Sequence, residues 1–237
     1  NVQKEHILYE NSSFELGILG LSEGINEDEQ FVKKYFAKSE MNGSRIKIAY
    51  VSQHDKQREK YLDPKNIYFI EKIFPVFEKA TLIESETDIG DDTKLLNYSF
   101  IGKNKGASAS NFGTKIEKHY DNFVLELGLS SLLEHQSVLG SKFSGAFDLE
   151  SGGKSVIFEA GFKKQIEKNL LINGYANFSE TRATFRNQDL IEISNINARE
   201  LSLGFEFDNF LNEKQKLFIS VTHPLSLTNG ELTVKTI

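Results

Sequence analysis

The sequence predicts an all-β fold: an antiparallel up-and-down meander of the membrane-type β-barrel class, incomplete within this chain. Three observations carry it: strict period-2 alternation, turn residues between the alternating runs, and a polar face built from small residues mixed with charges. Across 123–130, Phe123, Leu125, Leu127 and Leu129 alternate with Val124, Glu126, Gly128 and Ser130. Across 155–163, Val156, Phe158, Ala160 and Phe162 form one face, and across 199–208 it is Leu201, Leu203, Phe205 and Phe207. Leu217, Ile219 and Val221 repeat the pattern, as do Phe143, Gly145, Phe147 and Leu149. Successive strand residues point to opposite faces, so each run reads as a strand.

Ser151-Gly152-Gly153 and Thr228-Asn229-Gly230 stand between runs, and such turn residues read as hairpins. Consecutive hairpins make a meander. An apolar-Glu-apolar-Gly unit recurs at Phe14–Gly17, Leu125–Gly128 and Phe158–Gly161, one strand environment reused. Further strands are expected at 13–22, 45–52 and 94–101. A long loop with a short helix is expected near 56–83, because the stretch is charged, Asp63-Pro64 reads as a turn and Pro75 interrupts any helix. Residues 88–92 and 103–111 read as loop tips. No Pro- or Ser-rich linker divides the 237 residues, so 1–237 reads as one domain. Neither end carries a leader or a closing turn, and both read as cut.

Composition narrows the function classes. There is no Cys, which excludes a disulfide scaffold and a thiolate metal site. The net charge of −6 argues against nucleic acid as a partner. No run approaches the roughly 18 apolar residues of a spanning helix. Yet Phe numbers 19 in a chain of mean hydropathy −0.38. Alternation reconciles the two, because only every second strand residue must be apolar. The polar face decides what the apolar face meets. Gly128, Gly161, Gly204, Ser130, Ser202 and Ser220 with Glu126, Glu159 and Glu206 suit a lumen. Runs of nine to ten residues suit a tilted crossing of a bilayer. A soluble β-rich binding or adhesion module is the alternative, and it requires the apolar faces to pack on one another.

No catalytic constellation is present. The five histidines, His6, His54, His119, His135 and His223, begin no triad motif and form no i,i+4 zinc pair. Gly153-Lys154-Ser155 imitates the end of a phosphate loop, but position 148 is Asp where that loop has Gly. The acidic stretches 26–29 and 88–92 lack calcium-loop spacing. Asn11, Asn42, Asn97 and Asn177 begin Asn-x-Ser triplets, the last inside an expected strand. The segment is therefore read as having no enzyme activity, no cofactor, no metal site and no small-molecule ligand.

Two stretches, 122–162 and 201–234, resemble the C-terminal autotransporter-like β-barrel region of bacterial subtilisin-like (S8 family) serine peptidases, especially alphaproteobacterial ones. The likeness lies in Leu139-Gly140-Ser141, in Gly145-Ala146-Phe147, and in His223-Pro224-Leu225-Ser226-Leu227 followed by Gly230. Positions 223 and 226 carry His and Ser where that family usually has Gln and Arg. The likeness covers roughly 94–237. It implies a barrel in the bacterial outer membrane at the cell surface. Its partners would be the lipid bilayer and an N-terminal subtilisin-like passenger that the barrel anchors or exports. It further implies that the full-length parent is a serine endopeptidase. The family's catalytic triad belongs to the passenger, so no catalytic residue carries over. It also implies closing strands beyond the Pro-Leu motif, leaving sheet edges exposed in this chain.

Overall fold

In a computed structural model of the chain, residues 3–10, 14–21, 34–41, 43–52, 79–104, 107–139, 141–142, 148–186, 191–208 and 216–235 are described. They form strands β1 (Gln3–Glu10), β2 (Phe14–Leu21), β3 (Lys34–Met41), β4 (Ser44–Ser52), β5 (Lys79–Gly90) and β6 (Thr93–Asn104). There follow β7 (Ala107–Tyr120), β8 (Phe123–His135), β9 (Ser137–Val138), β10 (Ser141–Lys142) and β11 (Lys154–Glu167). The last are β12 (Leu170–Arg182), β13 (Ile191–Ile193), β14 (Ile196–Asp208), β15 (Lys216–Asn229) and β16 (Leu232–Val234). Among the described residues there is no helix.

Twelve strands form one antiparallel sheet in chain order: β1 through β8, then β11, β12, β14 and β15. The meander is thus as the alternation predicts. Among the described residues β1 and β15 are its edges and do not pair with each other. The sheet curls. Leu225 of β15 packs on a buried cluster of Ala109, Leu132 and Ile157. The nearest of these, on β11, lies three strands away, which is about 14 Å in a flat sheet. Contact requires strong curvature, and that curvature separates an inner from an outer face.

The two ends of the sheet differ. At one end the connections are mostly short: 11–13, 42–43, 91–92, 121–122 and 168–169, with 209–215 longer. Asp92 sits at φ 55 and Gly43 at φ 76, left-handed positions that Asp and Gly adopt readily in tight turns. Each of three turns also feeds the strand beyond its own hairpin. Asp92, Asn122 and Asn169 carbonyls accept from His119, Gln165 and Asp208 backbone N–H groups at 2.7–2.9 Å. At the other end lie the longer connections 22–33, 53–78, 136–153 and 183–195, with one short connection at 105–106.

Several expectations need correction. Of the expected strand at 143–149, residues 143–147 lie outside the described residues, and Leu149 makes an isolated bridge to Phe185. Ser151-Gly152-Gly153 therefore closes a long connection, not a hairpin. β16, beyond Gly230, pairs with β13 and not with β15. The tip expected at 103–111 is largely strand, because β6 runs to Asn104 and β7 starts at Ala107. Of the loop expected near 56–83, residues 79–83 belong to β5, and the rest lies outside the described residues. Residues 88–90 likewise extend β5, leaving Asp91-Asp92 as the turn. The expected strands at 13–22, 45–52 and 94–101 are β2, β4 and β6.

Candidate functional site

The two faces of the sheet carry inverted chemistry. On the outer face Leu127, Leu129, Leu133, Val156, Phe158 and Phe178 are 42–56% exposed. On the inner face Asn111, Thr181 and Glu200 are fully buried, with Ser130, Asn177 and Ser179 nearly so. Leu201 and Leu203 are exposed at 40% and 41%. The soluble-module alternative requires that face to pack inward, and it does not. A water-soluble monomer does not expose so long an apolar surface while burying carboxylates and amides.

Most of the inner face pairs within itself, with Asn111 Oδ1 and Ser179 Oγ buried without a hydrogen-bond partner. Glu200 accepts from the Tyr175 hydroxyl at 3.0 Å and from Asn177 Nδ2 at 3.4 Å. Ser155 and Thr181 hydroxyls meet at 2.7 Å, Ser202 and Thr222 at 2.9 Å. Register brings opposite charges together as cross-strand neighbours. Lys38 meets Glu15 at 3.1 Å, Arg45 meets Glu86 at 3.4 Å, and Lys47 meets Glu84 at 3.5 Å. Lys94 reaches Glu86 at 2.8 Å. Lys115 stands between Glu126 (3.6 Å) and Glu159 (3.7 Å), and Lys163 holds Glu126 at 2.7 Å.

Glycines open the paths for these contacts. Gly128 lies between Lys115 on β7 and Glu159 on β11, paired with both. Tyr98 on β6 lies over Gly113 and reaches Glu159 Oε1 at 3.4 Å. A Cβ on Gly113 would lie 2.2 Å from Tyr98 Cζ, so any side chain there displaces the ring. The recurring Glu-apolar-Gly unit at 126–128 and 159–161 thus has a cause: its Glu and Gly share the inner face of a strand.

The longer connections build an apolar cap. Val138, Leu149, Phe185, Ile191 and Ile196 form a buried cluster. Leu139 packs on both this cluster and the inner-face cluster, so the cap rests on the wall. Glu134 Oε2 accepts from the Leu139 backbone N–H at 2.7 Å. Gly152, at φ 98, passes so near the Glu134 carbonyl that a Cβ would lie 2.2 Å from it. Glu231 and Ser194 exchange two hydrogen bonds, joining the β16 segment to the cap.

The residues singled out from sequence are scattered. His119 pairs with Glu117 on β7, while His135 and His223 are exposed on β8 and β15. His6 lies on β1 and His54 is outside the described residues. Gly153-Lys154-Ser155 enters a strand, so it forms no phosphate-binding helix start. Asn97 is exposed on β6 and Asn177 is buried, while Asn11, Asn42 and 26–29 lie outside the described residues. Among the described residues no three His, Asp or Glu side chains group as a metal site. Of the resemblance motifs, Leu139 and Ser141 belong to the cap region, whereas 223–227 lie on β15. There Pro224 sits where the register to β14 shifts, on an edge strand that needs no N–H from it.

A curled antiparallel meander with apolar residues outside, mostly paired polar groups inside, and connections that are mostly short at one end and mostly long at the other is a membrane β-barrel wall. No family model matches the chain, and no curated protein matches it in sequence. Among solved structures it is similar to a loop-deletion mutant of OmpT, an outer membrane protein of Vibrio cholerae. Identity there is 6% over 97% of this chain and 84% of that one, with a TM-score of 0.47. It is also similar to OccK8 (OprE) of Pseudomonas aeruginosa, at 6% identity, 94% and 76% coverage and a TM-score of 0.39. A third likeness is to OccK11 (OpdR) of the same species, at 10% identity, 93% and 74% coverage and a TM-score of 0.41. With TM-scores below 0.5, these likenesses carry no part of the functional reading, which rests on the two faces of the sheet.

Proposed function

We propose that the chain forms the wall of a hydrophilic conduit in the bacterial outer membrane. The observation that carries this reading is the inversion of the faces: Glu200, Asn177 and Thr181 buried inside, Leu127, Leu129 and Leu203 exposed outside. Lipid accepts the outer face without cost, and between β1 and β15 the backbone groups are met by the antiparallel ladder. The sequence resemblance supports a finer role as a translocator, with a subtilisin-like passenger N-terminal to the barrel. In this reading the segment performs no catalysis, and the passenger is the serine endopeptidase. The test is refolding into detergent or lipid vesicles with heat-dependent migration on a gel. The expected result is a compact band that shifts on boiling. A monomer folding in plain buffer contradicts it. Opening reading frames upstream of Asn1 in the source genome tests the finer role: subtilisin-type triad motifs support it, and their absence removes it.

A further inference from the structure

We infer that the outer-face rim around Lys154 and Arg182 docks the phosphate headgroup of an anionic membrane lipid. The inference needs the wall to span a bilayer and needs no passage through it, so it stands apart from the conduit reading. On β11 a cation marks each end of the outer face. Lys154 and Lys164 stand there with Val156, Phe158, Ala160 and Phe162 between them. At about 3.3 Å per residue and a tilt of about 40°, the two lysines differ in height by about 25 Å, the height of the apolar band of such a barrel. Each therefore lies level with lipid headgroups.

At the rim toward the long connections, the outer faces of β6 to β14 carry Lys103, Lys154, Arg182 and Arg199 against one carboxylate, Glu180, among the described residues. Exposed Ile101, Val156 and Leu201 come next along the same face from Lys103, Lys154 and Arg199. Each of these cations thus stands at the head of an apolar column, the arrangement that an amphiphile complements. Lys154 and Arg182 are direct cross-strand partners. Like charges so placed repel unless an anion lies between them. Glu180 does not take that place, because its Oε1 already accepts from Arg182 Nη2 at 2.9 Å, Arg182 Nε at 3.2 Å and Asn195 Nδ2 at 3.0 Å. Lys154 is exposed and has no carboxylate partner among the described residues. An anionic phosphate can set its charge between Lys154 and Arg182 while its acyl chains lie on Val156 and Phe178, which are 56% and 45% exposed. A zwitterionic headgroup brings its own cation and gains less from the same place.

The chain has no Trp, so Val156→Trp supplies a single reporter beside the site. The test uses the full chain refolded into vesicles of phosphatidylcholine and phosphatidylglycerol in equal parts, with brominated chains on one lipid or on the other. The expected result is stronger quenching by brominated phosphatidylglycerol, a preference of at least about threefold that declines as salt rises. In the same background Lys154→Arg is expected to keep the preference. The variant Lys154→Gln/Glu180→Gln/Arg182→Gln is expected to lose it. Lys154→Gln alone is expected to lose most of it, and it decides if the triple variant fails to fold. Equal quenching by the two lipids, or a preference that survives the triple variant, overturns the inference. Shielding from both lipids places a second copy of the chain on this face and overturns it too. The heat-dependent gel shift of the same vesicles separates the readings. A preserved shift with equal quenching overturns the lipid site alone, and a chain that folds in plain buffer without a shift overturns the membrane wall and the site with it.

Discussion

Replacing Leu203 by Arg places a cation on the outer face of β14, and its cost follows from depth. The strand has 13 residues with Ser202 at its centre. At about 3.3 Å per residue and a tilt of about 40°, it rises about 33 Å. Leu203 then lies about 2.5 Å from mid-height and Phe207 about 13 Å from it. The apolar band of such a barrel is about 25 Å tall, so Leu203 sits at its centre and Phe207 at its rim. Leu203→Arg is expected to cost about 2–4 kcal/mol and Phe207→Arg about 0–1 kcal/mol. Ser202→Arg, one residue away but facing inward, loses only the hydrogen bond to Thr222, about 1 kcal/mol. Urea titration of vesicle-refolded protein, followed by circular dichroism and gel shift, measures all three. The reasoning is refuted if Leu203→Arg costs no more than Ser202→Arg.

Further expectations follow from the inner face and the cap. Gly113→Val forces the Tyr98 ring aside and is expected to cost about 1–3 kcal/mol in the same titration; adding Tyr98→Ser should recover most of it. Glu200→Ala removes the acceptor of the half-buried Tyr175 hydroxyl and of the buried Asn177 amide, an expected loss of about 1–3 kcal/mol. Glu200→Gln, which keeps an acceptor, should lose less. Phe185→Ala removes the largest side chain of the cap and should loosen it by about 3–5 kcal/mol. Limited trypsin digestion is expected to cut near Arg182 and Arg186 sooner in this variant, with the gel shift of the barrel unchanged.

The strands most legible in the sequence are those whose outer faces are almost wholly apolar, such as β8 with Leu125, Leu127 and Leu129. Residues 107–111 of β7 read as a loop because Ala107 to Asn111 are small or polar on both faces, which a curled wall tolerates near its end. Leu149, the last apolar residue of the alternating run 143–149, packs in the cap, and periodicity does not tell a cap residue from a strand residue. The ionic pairs of the inner face were present in the sequence only as scattered charges. Lys38 meets Glu15, and Lys115 meets Glu159, through registers between separate strands, which no local pattern encodes. The glycines had a visible signal, their fixed place two residues after Glu, but its meaning depends on which face turns inward.

That inward and outward assignment is the central claim, and the absence of Cys makes it directly measurable. Single cysteines placed in turn at positions 200 to 206 of β14 can carry a spin label in vesicle-refolded protein. Collision with oxygen reports lipid, and collision with a water-soluble nickel complex reports aqueous surroundings. The expected result is alternation: 201, 203 and 205 respond to oxygen, while 200, 202, 204 and 206 are shielded from lipid. An absence of alternation, or the opposite phase, contradicts the account.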